Sequence, residues 1–225
     1  MKGRFAIGAA VVLLAVACRP GRLSLAPLPE RIESIQGSAS IRYSRGGASA
    51  RAKMVFLLVP PERAGLEALD PLSRTIFSVV VEGEEATLVV PARKAYWTGA
   101  RADVLEAGLG FPLSVAEMVG LLSGRWPDGP DGAGSPAGWT LTRDAQGCVI
   151  AGSRNGFDFR VDELFPRSAV PRKLGFRAAT SSGSLTVLGL TANEAGAAAA
   201  RRPSLPPSFV RLTKLEMERL LRDED

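Results

Sequence analysis

Few residues in this chain could do covalent chemistry. There are two cysteines, Cys18 and Cys148, and no histidine. Without histidine there is no Ser-His-Asp triad, no Cys-His dyad and no imidazole metal site. The Gly-x-Ser-x-Gly, Ser-x-x-Lys and P-loop patterns are also absent. The adjacent acids Glu84 and Glu85 follow Gly83, where solvated turn charges are expected, and nothing in the sequence positions them for acid-base work. Cys148 lies in Gly147-Cys148-Val149-Ile150, which reads as a strand carrying a buried thiol. Cys18 ends an uncharged apolar run, so its thiol is the candidate for modification.

That run has the layout of a secretory signal. Basic Lys2 and Arg4 precede the apolar stretch from Phe5 to Ala17. As a helix, thirteen residues span roughly 20 Å, short of the roughly 30 Å bilayer core. The sequence Ala15-Val16-Ala17-Cys18 resembles the bacterial lipobox, with Ala15 where Leu is usual. The resemblance implies cleavage before Cys18, a diacylglyceryl thioether on it, and acylation of the new amino terminus. Two or more acyl chains anchor a protein stably, whereas one holds it marginally. The expected organisation is a signal peptide over 1–17, a Pro-containing tether over 18–32, and one domain over 33–225.

Removing the leader with Lys2 and Arg4 lowers the formal net charge from +5 to +3 and leaves 208 of 225 residues. The basic residues are scattered and few aromatics accompany them, so nucleic-acid binding is not indicated.

The elements beyond the tether are mainly strands. Ile35, Gly37, Ala39, Ile41 and Tyr43 alternate with polar residues, as do Ala50, Ala52, Met54, Phe56 and Leu58. Further strands are expected at 64–69, 75–82, 85–90, 94–98, 139–143, 147–152, 156–162, 173–179 and 183–190, with Gly46-Gly47 as the first turn. Successive hairpins suggest an antiparallel sheet. A helical segment over about 102–124 interrupts it. Ser114-Val115-Ala116-Glu117 reads as a capping box, and Val115, Met118, Val119 and Leu122 share a helix face. Residues 127–138 read as a Gly/Pro surface loop. Thr213-Lys214-Leu215-Glu216 opens a last helix with apolar Leu215, Leu220 and Leu221, whose acidic end at Asp223, Glu224 and Asp225 should fray.

The order of these segments resembles the LolA/LolB-type outer-membrane lipoprotein-sorting proteins, LolB-like members above all. The matching stretches are Gly37-Ser38-Ala39-Ser40-Ile41-Arg42, Ala52-Lys53-Met54-Val55-Phe56, Leu66-Glu67-Ala68-Leu69-Asp70-Pro71-Leu72-Ser73, Gly110-Phe111-Pro112-Leu113-Ser114, Leu121-Leu122-Ser123-Gly124-Arg125-Trp126 and Gly138-Trp139-Thr140-Leu141. The resemblance implies a mainly β fold, an open antiparallel half-barrel closed by a helical lid. It implies a hollow for the acyl chains of a lipoprotein in transit, and no catalysis or cofactor. Leu72 occupies the position of an exposed, membrane-contacting Leu, with Ser73 in place of the family's Gly. The cavity candidates are Ile41, Met54, Phe56, Leu58, Phe77, Val79, Leu88, Trp97, Val115, Met118, Val119 and Leu122. The expected partners are a membrane, held through acylated Cys18, the acyl chains of lipoproteins or other lipids, and a periplasmic LolA-like carrier. The expected location is the outer membrane, with the domain facing the periplasm. The alternative is a non-catalytic subunit of an envelope complex with the same fold, using the 127–138 loop and the C-terminal helix as contacts.

Overall fold

A computed structural model describes residues 25–45, 48–111, 113–126, 138–179, 181–194 and 205–222. The expected leader, Cys18, the Gly46-Gly47 turn, nearly all of the Gly/Pro loop and the acidic C-terminus lie outside the described residues.

Among the described residues, twelve strands form one sheet. In chain order β1 (Ile35–Arg45), β2 (Ala48–Val59), β3 (Arg63–Leu69), β4 (Thr75–Glu82), β5 (Glu85–Val90) and β6 (Ala95–Ala100) come first. Helices α1 (Arg101–Leu109) and α2 (Val115–Ser123) follow. Then come β7 (Thr140–Arg143), β8 (Val149–Arg154), β9 (Phe157–Leu164), β10 (Pro171–Ala178), β11 (Ser181–Ala192), β12 (Val210–Arg211) and α3 (Lys214–Arg222). The spatial order is β12-β6-β5-β4-β3-β2-β1-β11-β10-β9-β8-β7, and the end strands do not pair, so the sheet is an open half-barrel. The pairings are antiparallel except that of β12 with β6. Sequence periodicity does not reveal β12, because two residues after a Pro-rich stretch carry no alternation.

This order explains the lid. β6 lies near one edge of the sheet and β7 forms the other. The chain between them must cross the sheet, and α1 and α2 are that crossing. α1 packs on β4, β5 and β6, and α2 packs on β2 and β10. Ser114 caps α2: its Oγ accepts from the Glu117 amide at 3.3 Å, and Glu117 Oε2 accepts from the Ser114 amide at 2.7 Å. Gly110 ends α1 at φ +83°, beside the Tyr43 hydroxyl, where a side chain would be both strained and crowded.

The period-2 pattern sets one inner face across the sheet. Register places Tyr43 opposite Gly183, Ile41 opposite Leu185, Leu66 opposite Val79 and Leu88 opposite Trp97. The apolar residues of this face and the lid form one core.

Three local expectations change. Cys148 is half-buried in the turn before β8, because Asp144 Oδ1 takes its amide at 2.9 Å and holds it outside the strand. In α3 the buried anchor is Met217, fully covered, while Leu215 is 54% exposed. The second half of the expected tether is fixed chain. Leu25, Leu28 and Ile32 pack against the core, and the Arg125 guanidinium donates to the carbonyls of Leu28, Pro29 and Glu30.

Candidate lipid-binding hollow

Between the inner face of the sheet and the helices lies a hollow of about 750 Å³. Strands from β4 round to β9 supply its walls, and α1, α2 and Leu221 of α3 supply its cover. Among the described residues that line it, Tyr43 alone has a polar side chain. Such a volume falls within the range of about 300–1,000 Å³ usual for small-molecule sites. With one hydroxyl and no charged side chain among its described lining residues, the site can hold hydrocarbon by burial.

Seven of the twelve cavity candidates line this hollow: Ile41, Met54, Phe56, Leu58, Phe77, Met118 and Leu122. The other five, Val79, Leu88, Trp97, Val115 and Val119, do not, and belong to the packed core. Val79 and Leu88 point to the same side of the sheet as Phe77, but α1 covers them. A side chain added at Gly108 of α1 would sit 3.1 Å from Val79 and 3.7 Å from Leu88. Val115 and Val119 lie on the α2 stripe beside Met118 and Leu122, and are buried in the core rather than in the hollow. The sequence places all twelve on apolar faces; only the path of the helices separates wall from core.

Lining residues outside that set include Tyr43, Phe111, Leu121, Phe157, Phe159, Phe176 and Leu221. The alternation of Phe157 and Phe159 already signals an inward face, but which strands close the far wall depends on the curl of the sheet. Phe111 joins the lid to that wall, with ring centroids 4.8 Å from Phe157 and 5.3 Å from Phe176. Trp126, Trp139 and Phe159 continue the aromatic cluster at 4.9–5.7 Å.

A buried ion pair fastens the lid. The Arg154 guanidinium of β8 donates to both carboxylate oxygens of Glu117, at 3.0 Å to Oε2 and closer to Oε1. Trp139 Nε1 donates to Oε1 at 2.9 Å, and the guanidinium carbon lies 5.1 Å from the Trp139 ring centroid. Capping alone accounts for Glu117 in the sequence. Its distant partner, 37 residues away, leaves no periodic signal there.

Leu72 stands apart from the hollow, at the tip of the β3–β4 turn, with 74% of its surface exposed. The carboxylate of Asp70 builds this turn. Oδ1 accepts from the amides of Leu72 at 2.8 Å and Arg74 at 2.9 Å, and Oδ2 from Arg74 Nε at 2.6 Å. The Arg74 amide bond, above all, lowers the Asp70 pKa below its ordinary 3.8. Ser73 adopts φ +61°, the left-handed conformation that a Gly would take there. The turn therefore keeps its form and Leu72 projects into solvent.

Among solved structures, a DUF1329 family protein from Desulfovibrio piger shares the fold at TM-score 0.51 and 8% identity, covering 73% of this chain and 87% of that one. A LolA superfamily protein from Nitrosomonas europaea aligns at TM-score 0.43 and 11% identity, over 75% of this chain and 90% of its own. No family model matches the chain. In sequence, the outer-membrane lipoprotein LolB of Cupriavidus taiwanensis is 30% identical over 164 residues, 70% of each chain. With an open half-barrel, an apolar hollow under a two-helix lid and that relative in hand, the chain belongs to the LolB family.

Proposed function

We propose that this protein is a lipid-anchored periplasmic carrier that takes the acyl chains of lipoproteins into its hollow and delivers them to the outer membrane. The observation that carries the reading is the hollow of about 750 Å³ with Tyr43 as the one polar side chain among its described lining residues. Membership of the LolB family supports a role in lipoprotein sorting or binding, and the relative's name supports the outer membrane as the destination. Each buried CH₂ contributes about 0.8 kcal/mol, so an acyl chain is held without catalysis. A carrier needs an affinity between those of its donor, a LolA-like protein, and its acceptor, the membrane.

In this reading acylated Cys18 anchors the protein after cleavage of residues 1–17. Leu72 is the group that enters lipid, where an apolar side chain gains about 1.5–3 kcal/mol. Handover then consists of tip insertion followed by loss of the acyl chains from the hollow into the bilayer.

Native mass spectrometry of the gently purified full chain is the direct test, with lipoprotein sorting after depletion as the cellular one. Co-purified acyl lipid, and lipoproteins retained at the inner membrane on depletion, are the expected results. A lipid-free protein together with unchanged sorting overturns the proposal. A stoichiometric protein partner in place of lipid would favour the subunit reading.

A further inference from the structure

The outer face of the sheet is unlike its inner one. Register aligns Arg51 of β2 with Arg42 of β1, then Ser184 of β11, Gly175 of β10 and Arg160 of β9. At about 4.8 Å per strand this row spans roughly 19 Å. The next row, on the same face, runs Ser49, Ser44, Ser182, Arg177 and Asp158. Lys53 continues the face on β2. The two rows line an open groove of about 900 Å³, with Gly175 among its lining and the Asp162 carboxylate close beside it.

The charge here is mostly uncompensated. Arg42, Arg51, Lys53 and Arg177 are exposed and take part in no ion pair among the described residues. Arg160 and Lys173 share Asp162, and Asp158 lies in register with Arg177. Long cationic side chains interleaved with serine hydroxyls suit phosphate-bearing groups.

The position of the groove in the sheet names the occupant. Lys53 pairs with Leu69, the last residue of β3 before the turn that presents Leu72, and Arg51 lies two residues nearer that end. The cationic rows and the exposed apolar tip thus share one end of the sheet. We infer that the outer face of β1, β2, β9 and β10 is a docking surface for an anionic membrane, whose phosphate headgroups the arginines engage beside the Leu72 tip. The inference rests on the carrier reading in taking a membrane as the target; groove and hollow share Tyr43, Ala50, Phe159 and Phe176, but Arg42, Arg51 and Arg177 line the groove alone and can be changed separately.

The test uses the full chain carrying Cys18→Ser, floated with vesicles of phosphatidylcholine alone or mixed equally with phosphatidylglycerol. Each basic side chain near an anionic surface contributes about fivefold, so Arg42→Ser, Arg51→Ser and Arg177→Ser together should weaken binding to the mixed vesicles roughly 100-fold. Binding to the neutral vesicles should stay the same. The matching triple Lys variant should keep the anionic preference, which separates lost charge from a lost fold, and raised salt should abolish it. Equal binding of parent and triple Ser variant to the mixed vesicles overturns the inference. So does salt-dependent binding of an acidic protein, through these arginines, by a chain indifferent to phosphatidylglycerol. A fluorescent fatty acid titrated into the same variants reports the hollow independently. Its binding without charge-dependent docking defeats this inference alone, and docking without it defeats the carrier reading alone.

Discussion

Glu117 caps helix α2 and at the same time holds Arg154 of the distant strand β8 in a bidentate ion pair, so one carboxylate both starts the lid helix and fastens it to the sheet edge. The Glu117 side chain is 9% exposed and that of Arg154 20%. Deleting one member of a buried pair leaves the other charge uncompensated, at a cost of about 3–5 kcal/mol. Glu117→Ala should therefore lower the urea midpoint sharply. Pairing it with Arg154→Met should recover part of that loss, because the stranded cation is then gone. Strict additivity in a double-mutant cycle would show that the two do not act as a unit.

The division between hollow and core predicts two different kinds of variant. Leu88 is fully buried under α1, and Leu88→Ala should cost about 2–5 kcal/mol in denaturant unfolding. Met118 lines the hollow, so Met118→Trp has room to enter it and should leave stability nearly unchanged. The same change should reduce binding of a fluorescent fatty acid at least tenfold. Equal loss of stability in the two variants would contradict the assigned positions.

In the proposed carrier, Leu72 serves delivery without contributing to the fold. Leu72→Asp should shift unfolding by no more than about 0.5 kcal/mol, as exposed positions do. Loss of an apolar contact of about 1.5–3 kcal/mol should lower insertion into vesicles by roughly 10- to 150-fold. Acyl-chain binding in the hollow should stay intact. Unchanged vesicle insertion in this variant removes Leu72 from the delivery step.

The turn that presents Leu72 should depend on pH through Asp70. Its carboxyl titrates below the ordinary 3.8 because the folded turn donates the Arg74 and Leu72 amides and the Arg74 guanidinium to the charged form. A lowered folded-state pKa means that the stabilisation is present above 3.8 and is lost as pH falls through the lower folded value. Carbon-detected NMR of the Asp70 carboxyl should show a midpoint under 3.8, with the Leu72 and Arg74 amides shifting in step. A midpoint at or above it would remove the carboxylate as the scaffold of the tip.

The sequence by itself determined the faces and the ends of the elements. Alternation put Ile41, Met54, Phe56 and Leu58 on the inner face and Arg42, Arg51 and Lys53 on the outer one, since side chains reverse at every residue of a strand. The Ser114-Glu117 and Thr213-Glu216 boxes fixed two helix starts, because capping is local chemistry within four residues. Other features required the tertiary structure. The inner face is apolar around both positions, so periodicity cannot tell Phe77, which opens to the hollow, from Val79, which α1 covers. The Glu117–Arg154 pair and the alignment of Arg42 with Arg160 join residues far apart in the chain. Strand register, the curl of the open sheet and the helical crossing from one edge to the other bring them together. These are properties of long-range packing, which no local spacing encodes.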